Sequence, residues 1–466
     1  MLTYFPKFLT TRAIICYVVT LVLVSVFFMN FAMPFQFMLF GLGAVLLFFL
    51  YSNKLTMQWQ NFSPQQFVKK LFITSLMIRV IYVIFIYFYY INMTGAPHMY
   101  HPGDELYYHD QAAIWHDEGI ESFLYWNAET EYSDMGYMWL LAFEYLLLGT
   151  NVIPSRLIKC VLSALSCVSM YHLAKRNFGE SVGRMTAVFC MLMPNMWYYC
   201  GLTLKETEMT FLTVLFVERA DAALKATRIT FKELVFPLLI MIVMFMFRTA
   251  LAAVLVAAFA MGLIFSSKKQ LKTGVKILYA MLFVIWMFFT VGAQMIQESQ
   301  QMWASRQDLQ ESGYQNRAEQ EGGNTFAKYA SASVFAPLIF TIPFSSMVNI
   351  PNQENQMMMN GANFIKNIMS GLTILALFVL LFNKEWRKTV LPIAAMVGYL
   401  VVLVFSNFAH SERFHFPIIA FEYMFAAYGI TQLTNRHKRW ITLWLIGVCV
   451  ANVAWALIKL RGRGWA

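Results

Sequence analysis

Charged residues are scarce in this chain. Only 13% of its 466 residues are Asp, Glu, Lys or Arg, whereas 59% are hydrophobic. An ordinary soluble domain is charged at roughly 25% of its positions. The composition therefore excludes a typical soluble protein and indicates that most of the surface faces lipid.

Several motifs that bind nucleotides or support hydrolysis are also missing. The sequence has no P-loop, GxGxxG, GxSxG or HExxH pattern, so nothing in it supports nucleotide-driven transport or serine or zinc hydrolysis. Its six cysteines form no CxxC pair and lie within or at the ends of apolar runs. We interpret them as small packing residues.

Apolar runs of about 20 residues, the length that crosses a bilayer, recur from end to end. We predict an all-α, polytopic membrane protein, because lipid satisfies no backbone hydrogen bond. About thirteen transmembrane helices are expected, near 13–31, 34–51, 70–92, 155–174, 184–202, 207–224, 233–248, 249–266, 275–296, 365–383, 390–408, 416–434 and 440–459.

The net charge of +10 is not spread evenly. Lysine and arginine cluster on alternate connections between the predicted spans, which is the positive-inside pattern of membrane proteins rather than a nucleic-acid surface. This pattern places 93–154, 203–206, 297–364 and 409–415 on the outer face. Thirteen spans would also leave the C-terminal tail with Lys459 there, against the rule, so either one span is miscounted or the short tail escapes the rule.

The predicted spans and loops divide the chain into four parts. An N-terminal transmembrane hairpin (1–52) precedes a core with the first outer loop 93–154 (53–296). A second outer loop (297–364) contains prolines that argue against a simple helix, so we expect it to be re-entrant or mobile. Further transmembrane helices complete the chain (365–466). Within the first outer loop, 136–149 is too short to cross a bilayer and is interpreted as an interfacial helix.

Ten of the chain's 25 acidic residues lie between Asp104 and Glu144. Spanning a bilayer does not require such a loop, so it suggests chemistry at the membrane surface. Asp104 could take a proton from a hydroxyl as a general base. It could equally be the N-cap of a helix that carries Tyr108 on one stripe. Glu105, in the first turn, could be a partner of the helix dipole.

Three cations are candidate anion ligands. Lys205 opposes the macrodipole at a helix N-terminus, a conflict that a bound phosphate would resolve; alternatively it reaches to the interface. Its neighbour Glu206 fits a capping box. Arg248 interrupts an uncharged run and marks an outer turn, as a functional group or as the partner of a loop carboxylate. Arg413, near His410, is a candidate anion binder, whereas a zinc site there lacks ligand spacing.

These residues resemble a known family. Asp104, Glu105, Tyr108 and Ala112 fit the D-E-x-x-Y-x-x-x-A signature in the first outer loop of GT-C-fold, lipid-dependent glycosyltransferases. The bacterial members related to protein O-mannosyltransferases and lipid A aminoarabinose transferases are especially similar. Further similar segments, in the same order and spacing, are 136–149, 155–157, 171–179, 194–206, 248–249 and 413–417.

The resemblance implies roles for individual residues. Asp104 matches the catalytic carboxylate and Glu105 its acidic neighbour, whereas Arg248 and Arg413 match basic positions near the lipid phosphate. Lys205, a candidate on its own residue pattern, is expected to stabilise the same phosphate. Contacts to acceptor or sugar are then expected from Tyr108, His410 and Glu206. The chain has 133–135 as Ser-Asp-Met where some members have a lysine and paired prolines, which weakens any transfer of aminoarabinose or lipid A specificity.

The expected function is inverting transfer of a sugar from a polyprenyl-phosphate donor to a hydroxyl of a glycan, lipid or protein. It would take place on the periplasmic side of a bacterial inner membrane, without nucleic acid. Asp104 and Glu105 could also hold Mg²⁺ or Mn²⁺. The alternatives are a polymerase or ligase of lipid-linked oligosaccharides, and a transporter or flippase, which would show more charge at mid-membrane and paired broken helices.

Overall fold

The computed structural model describes residues 2–119, 132–226, 231–265, 336–406, 408–434 and 437–465, with short pieces between 315 and 334. For 132–134 and 231–234 it describes the backbone alone. The predicted span at 275–296 and most of the polar part of the second outer loop lie outside these residues.

The described residues form helices joined by turns, and their one β pairing is a single bridge between Ala32 and Val348. The helices are α1 (Lys7–Phe27), α2 (Phe35–Gln58), α3 (Pro64–Thr94), α4 (Gly103–Glu118), α5 (Tyr132–Leu148), α6 (Val152–Phe178), α7 (Glu180–Leu192), α8 (Pro194–Tyr198), α9 (Glu206–Lys225), α10 (Phe231–Phe247), α11 (Thr249–Phe265), α12 (Glu354–Met358), α13 (Asn360–Phe382), α14 (Val390–Val404), α15 (Glu412–Thr431) and α16 (His437–Arg461).

The all-helical membrane class predicted from the sequence is confirmed, but the count of about thirteen spans is not. Six described helices are long and apolar enough to cross a membrane, namely α1, α2, α3, α6, α13 and α16. The predicted span 184–202 is broken at Pro194, because proline lacks an N–H and clashes with the preceding turn. The resulting α7 has 13 residues, fewer than the roughly 20 that a crossing needs.

Helix α15 lies at the centre of the bundle, where every residue from His415 to Thr431 is buried. It packs against α13, α9, α7 and α14. Helices α1, α3 and α16 instead leave large apolar side chains exposed on one side, as expected of surfaces that face lipid. The polar residues of the first turn of α15 are therefore held at one end of a helix that is buried over most of its length.

The C-terminal tail lies on the same side as the first outer loop. Lys459 is buried and its Nζ donates to three side-chain oxygens of the segment 346–356, each at 2.9 Å. From that segment, the Asn355 side chain donates to the carbonyl oxygen of Tyr100 at 2.5 Å. Lys459, predicted to lie on the outer face against the positive-inside rule, is thus a buried donor to loop oxygens.

Candidate active site

Helix α4 presents Asp104 and Glu105 in its first turn. The chain enters this helix through backbone angles that are left-handed, with φ of 48° at His101 and 30° at Gly103. Carboxylates in a first turn are favoured by the helix dipole. No side chain caps the helix, and Pro102 stands at the N-cap position. The alternative interpretation of Asp104 as the capping residue is therefore wrong.

Glu105 is fully buried and points into the protein. One carboxylate oxygen accepts from Arg156 Nη2 at 2.9 Å and from the Thr203 N–H at 2.7 Å, and the other accepts from the Met99 N–H at 2.9 Å. Burial by itself would raise the pKa of Glu105, but the His98 ring and the Arg156 guanidinium outweigh it and lower the pKa to about 2. We call this arrangement the Glu105 latch, since it joins α4, α6 and the turn before α9.

Asp104 points the other way, to the surface, where its side chain is 59% exposed. Arg413, in the first turn of α15, donates through Nη1 to Asp104 Oδ2 and through Nε to Glu206 Oε1. Glu206 is buried, and its Oε2 has no hydrogen-bond partner in the described structure. We call these three residues the Arg413 bridge. It brings together residues that are far apart in the sequence, from α4, α9 and α15.

Lys205 stands at the N-cap position of α9 and is buried, with 3% of its surface exposed. Its Nζ donates to the carbonyl oxygen of Phe247 at 2.9 Å, so it does not reach out to the interface. Burial, reinforced by the charge of Arg248, lowers the pKa of Lys205 to about 7. No side-chain hydrogen bond caps α9. The capping box proposed for Glu206 is absent, and that carboxylate serves Arg413 instead.

Arg248 separates α10 from α11, which confirms the predicted turn between two helices. Its guanidinium lies 4.4 Å from the centre of the Phe414 ring, next to Arg413 in sequence, and donates to the Tyr399 hydroxyl at 3.2 Å. Among the described residues no carboxylate pairs with Arg248. Arg248 therefore places a further cation beside α15, near the Arg413 bridge.

Tyr108 and His410 complete the predicted set. Tyr108 is buried one turn after Asp104; burial raises the pKa of its hydroxyl, and the charge of Arg413 opposes that rise. His410 is half-buried in the turn before α15, close to His415. The structure thus gathers the predicted residues on one side of the molecule, except that Glu105 faces away from Asp104.

Sequence reasoning missed two basic residues of α6. Arg156 is the partner of Glu105, and Lys159, also buried, donates to the carbonyl oxygens of Leu202, at 3.0 Å, and Leu204. Together they hold the turn that precedes Lys205. The signal was available, because two cations three residues apart in an apolar helix require partners inside the protein.

The arrangement does not fit the metal site considered for Asp104 and Glu105. The oxygens of Glu105 accept hydrogen bonds from N–H groups, and the oxygen of Asp104 that meets Arg413 faces a cation. Within the described ranges, no group of three His, Cys, Asp or Glu side chains is placed to hold a metal ion.

Comparison with known proteins supports one class. Residues 135–293, about a third of the chain, match the family model of dolichyl-phosphate-mannose-protein mannosyltransferases. With the apolar helices, this match supports a membrane glycosyltransferase of the GT-C type, and the predicted resemblance is confirmed. Lys205 and Arg248 lie inside the matched segment, whereas Asp104 and Arg413 lie outside it. No curated protein and no solved structure matches the chain significantly.

Proposed function

We propose that this protein is an inverting glycosyltransferase that moves a sugar from a polyprenyl-phosphate donor to an acceptor hydroxyl on the outer side of the membrane. The observation that carries the proposal is the Arg413 bridge, in which an exposed carboxylate and a partly buried arginine meet at one end of a helical bundle. Lys205 and Arg248 add cations beside it. One base and several cations are what displacement of a phosphate by a hydroxyl requires.

Each of these side chains has one role in the proposed reaction. Asp104 accepts the proton of the acceptor hydroxyl while that oxygen forms a bond to the anomeric carbon. The bond from this carbon to the phosphate oxygen breaks, and the prenyl phosphate departs with the bonding electrons. Attack from the face opposite the phosphate inverts the anomeric configuration. Arg413, Arg248 and Lys205 stabilise the negative charge that grows on the phosphate.

The Arg413 bridge also explains how Asp104 becomes available as a base. Arg413 donates from different nitrogens to Asp104 and Glu206. A donor phosphate offers several oxygens to the same guanidinium, for which planar bidentate recognition is favourable. Once the phosphate takes the Nη1 donor, the exposed carboxylate of Asp104 can turn to the acceptor.

Glu105 has a different role in this proposal. Its oxygens are occupied by N–H donors inside the protein, so it touches neither substrate. We assign it to positioning, since it fixes the first turn of α4 against α6 and thereby the place of Asp104.

The donor and location follow from the same reasoning. The matched family is named for a mannose carried on dolichyl phosphate and passed to protein. A polyprenyl-phosphate hexose, mannose first, is therefore the donor to test, with glycan, lipid and protein acceptors. The proposed setting is the periplasmic face of a bacterial inner membrane.

The proposal is tested with purified protein in liposomes, short-chain polyprenyl-phosphate sugars and envelope fractions as acceptor. We expect acceptor-dependent release of prenyl phosphate, detected by mass spectrometry, and an inverted anomeric centre in the product. Asp104→Asn should lower turnover by about 10²–10⁴-fold, the usual contribution of a general base.

The matched control is Asp117→Asn, on the same helix, whose side chain is 77% exposed and which lies outside the Arg413 bridge. This variant should keep wild-type turnover. Full activity of Asp104→Asn, or a product with retained configuration, would contradict the proposed mechanism.

A further inference from the structure

A chain of buried hydrogen bonds lies behind Arg413 and joins the second outer loop to the turn before α15. Lys366 of α13 donates through Nζ to the carbonyl oxygen of Ile342 and lies 3.2 Å from His415 Nδ1. The Nε2 atom of His415 lies 2.7 Å from the carbonyl oxygen of Ala409. Both side chains are buried, with 1% or less of their surface exposed.

The chemistry of the partners fixes the direction of these bonds. A carbonyl oxygen only accepts, so the hydrogen on the His415 ring lies on Nε2 and is donated to Ala409. The other ring nitrogen, Nδ1, is then free to accept from the ammonium of Lys366, which has three donors and no acceptor. Hydrogen bonds through the imidazole of His415 therefore link Lys366 of α13 to Ala409 in the turn before α15.

Lys366 pairs with a carboxylate only at long range. Its ion-pair partner is Glu422, whose Oε1 lies 3.9 Å from Lys366 Nζ, beyond hydrogen-bond distance. Neither oxygen of Glu422 has a hydrogen-bond partner in the described structure. Lys366 directs its donors to a loop carbonyl and an imidazole, so burying it fixes the position of two outer segments.

The position that is fixed is that of Arg413. His415 follows it by two residues in the first turn of α15, and Ala409 lies in the turn that leads into that helix. Holding both ends of this short stretch leaves the backbone of Arg413 little freedom. A displacement of about 1 Å at such a site is enough to cost roughly 10²-fold in rate.

We propose that His415 and Lys366 are positioning residues that hold Arg413 where it receives the phosphate of a prenyl-linked donor. This inference rests on the proposed function and extends it to two residues that do not themselves touch the donor.

The test is the affinity of the purified protein for farnesyl phosphate, measured by calorimetry in detergent. His415→Leu removes both ring nitrogens and should weaken binding about tenfold, with a matching rise in donor KM and an unchanged acceptor KM. His415→Gln keeps an acceptor and a donor on neighbouring atoms and should stay within about threefold of wild type. Lys366→Met should resemble His415→Leu, and the double variant should be no weaker than either, since both act through one chain.

The control is Thr373→Val, which removes another buried contact between the same helices, the 2.7 Å hydrogen bond from Thr373 to the Glu422 carbonyl. It should leave farnesyl phosphate affinity unchanged. If His415→Leu is not recovered as folded protein, Lys366→Met carries the test.

The outcomes separate the two proposals. A wild-type protein that fails to bind farnesyl phosphate overturns the proposed function and this inference with it. Normal wild-type binding overturns this inference alone in either of two cases. The first is that the Leu and Met variants bind equally well, and the second is that His415→Gln or Thr373→Val loses as much as His415→Leu.

Discussion

The Glu105 latch and the Arg413 bridge begin at neighbouring carboxylates and differ in almost every physical respect. In the latch, the carboxylate is fully buried and both of its oxygens accept from N–H groups. In the bridge, Asp104 is 59% exposed and the second oxygen of Glu206 has no partner in the described structure. Consecutive residues of a helix point about 100° apart, so adjacency in sequence does not imply a shared role.

The difference shows how one turn of helix can serve both stability and chemistry. A carboxylate whose acceptors are all satisfied inside the protein gains nothing from a substrate, and its loss leaves unpaired donors. A carboxylate at the surface, held by one arginine, can exchange that partner for another. The latch is therefore expected to control the stability of the fold, and the bridge is expected to control turnover.

The largest expected effect is on stability, from Glu105→Ala. Removing one partner of a buried ion pair costs about 3–5 kcal/mol, because the remaining charge is left uncompensated. Thermal unfolding of the purified protein should show this loss, whereas Asp104→Asn should stay within about 1 kcal/mol of wild type, because exposed ion pairs contribute little to stability. Equal destabilisation by the two variants would remove the distinction between latch and bridge.

The pH dependence of stability provides a second test of the Glu105 latch. The folded protein lowers the pKa of Glu105 to about 2, below the value of about 4.3 expected for an unfolded chain. The stability that this charge contributes is therefore present above about pH 4.3 and is lost as the pH falls toward 2. The difference in unfolding free energy between wild type and Glu105→Gln should shrink over that range. A difference that stays constant would contradict this account of the latch.

A second effect, on turnover, is expected from Arg413→Gln. Losing one preorganised donor to developing charge typically costs about 10²–10³-fold, and transfer assays with the donor at saturation should show a loss of this size. Arg413→Lys should restore only part of it, since an ammonium cannot serve two acceptors with a planar fork. The matched control is Arg387→Gln, an exposed arginine in the connection between α13 and α14. Loss of activity in that control would indicate a general charge effect.

The smallest expected effect is a pH dependence that belongs to Lys205. Its pKa is lowered to about 7, so the ammonium form that attracts a phosphate is present below pH 7 and disappears above it. Farnesyl phosphate affinity should fall about tenfold between pH 6 and pH 8, because the protonated fraction of a group with a pKa of about 7 falls from about 0.9 to about 0.1 over that range. Lys205→Gln should lose this component and retain only the titration of the ligand. An unchanged profile in that variant would remove Lys205 from the phosphate site.

Much of the candidate site could be predicted because charge is so rare in this chain. Asp104, Lys205, Arg248 and Arg413 stood out against apolar surroundings, where an ionisable group needs a reason to be present. Their pairing could not be predicted, since Arg413 follows Asp104 by 309 residues. The helix caps expected for Asp104 and Glu206 depended on local sequence alone. In the structure both carboxylates instead accept hydrogen bonds from Arg413, which is distant in sequence.

The class of fold and the resemblance to GT-C glycosyltransferases could be predicted from the amino-acid sequence, because lipid requires helices and long apolar runs can be recognised without a structure. Only the folded structure shows which of the two adjacent carboxylates is exposed and which is buried. It also decided that Lys366 and His415 support the turn before Arg413. The burial of a side chain and its hydrogen-bond partners depend on contacts between helices that are far apart in the sequence. Local sequence patterns do not predict those contacts.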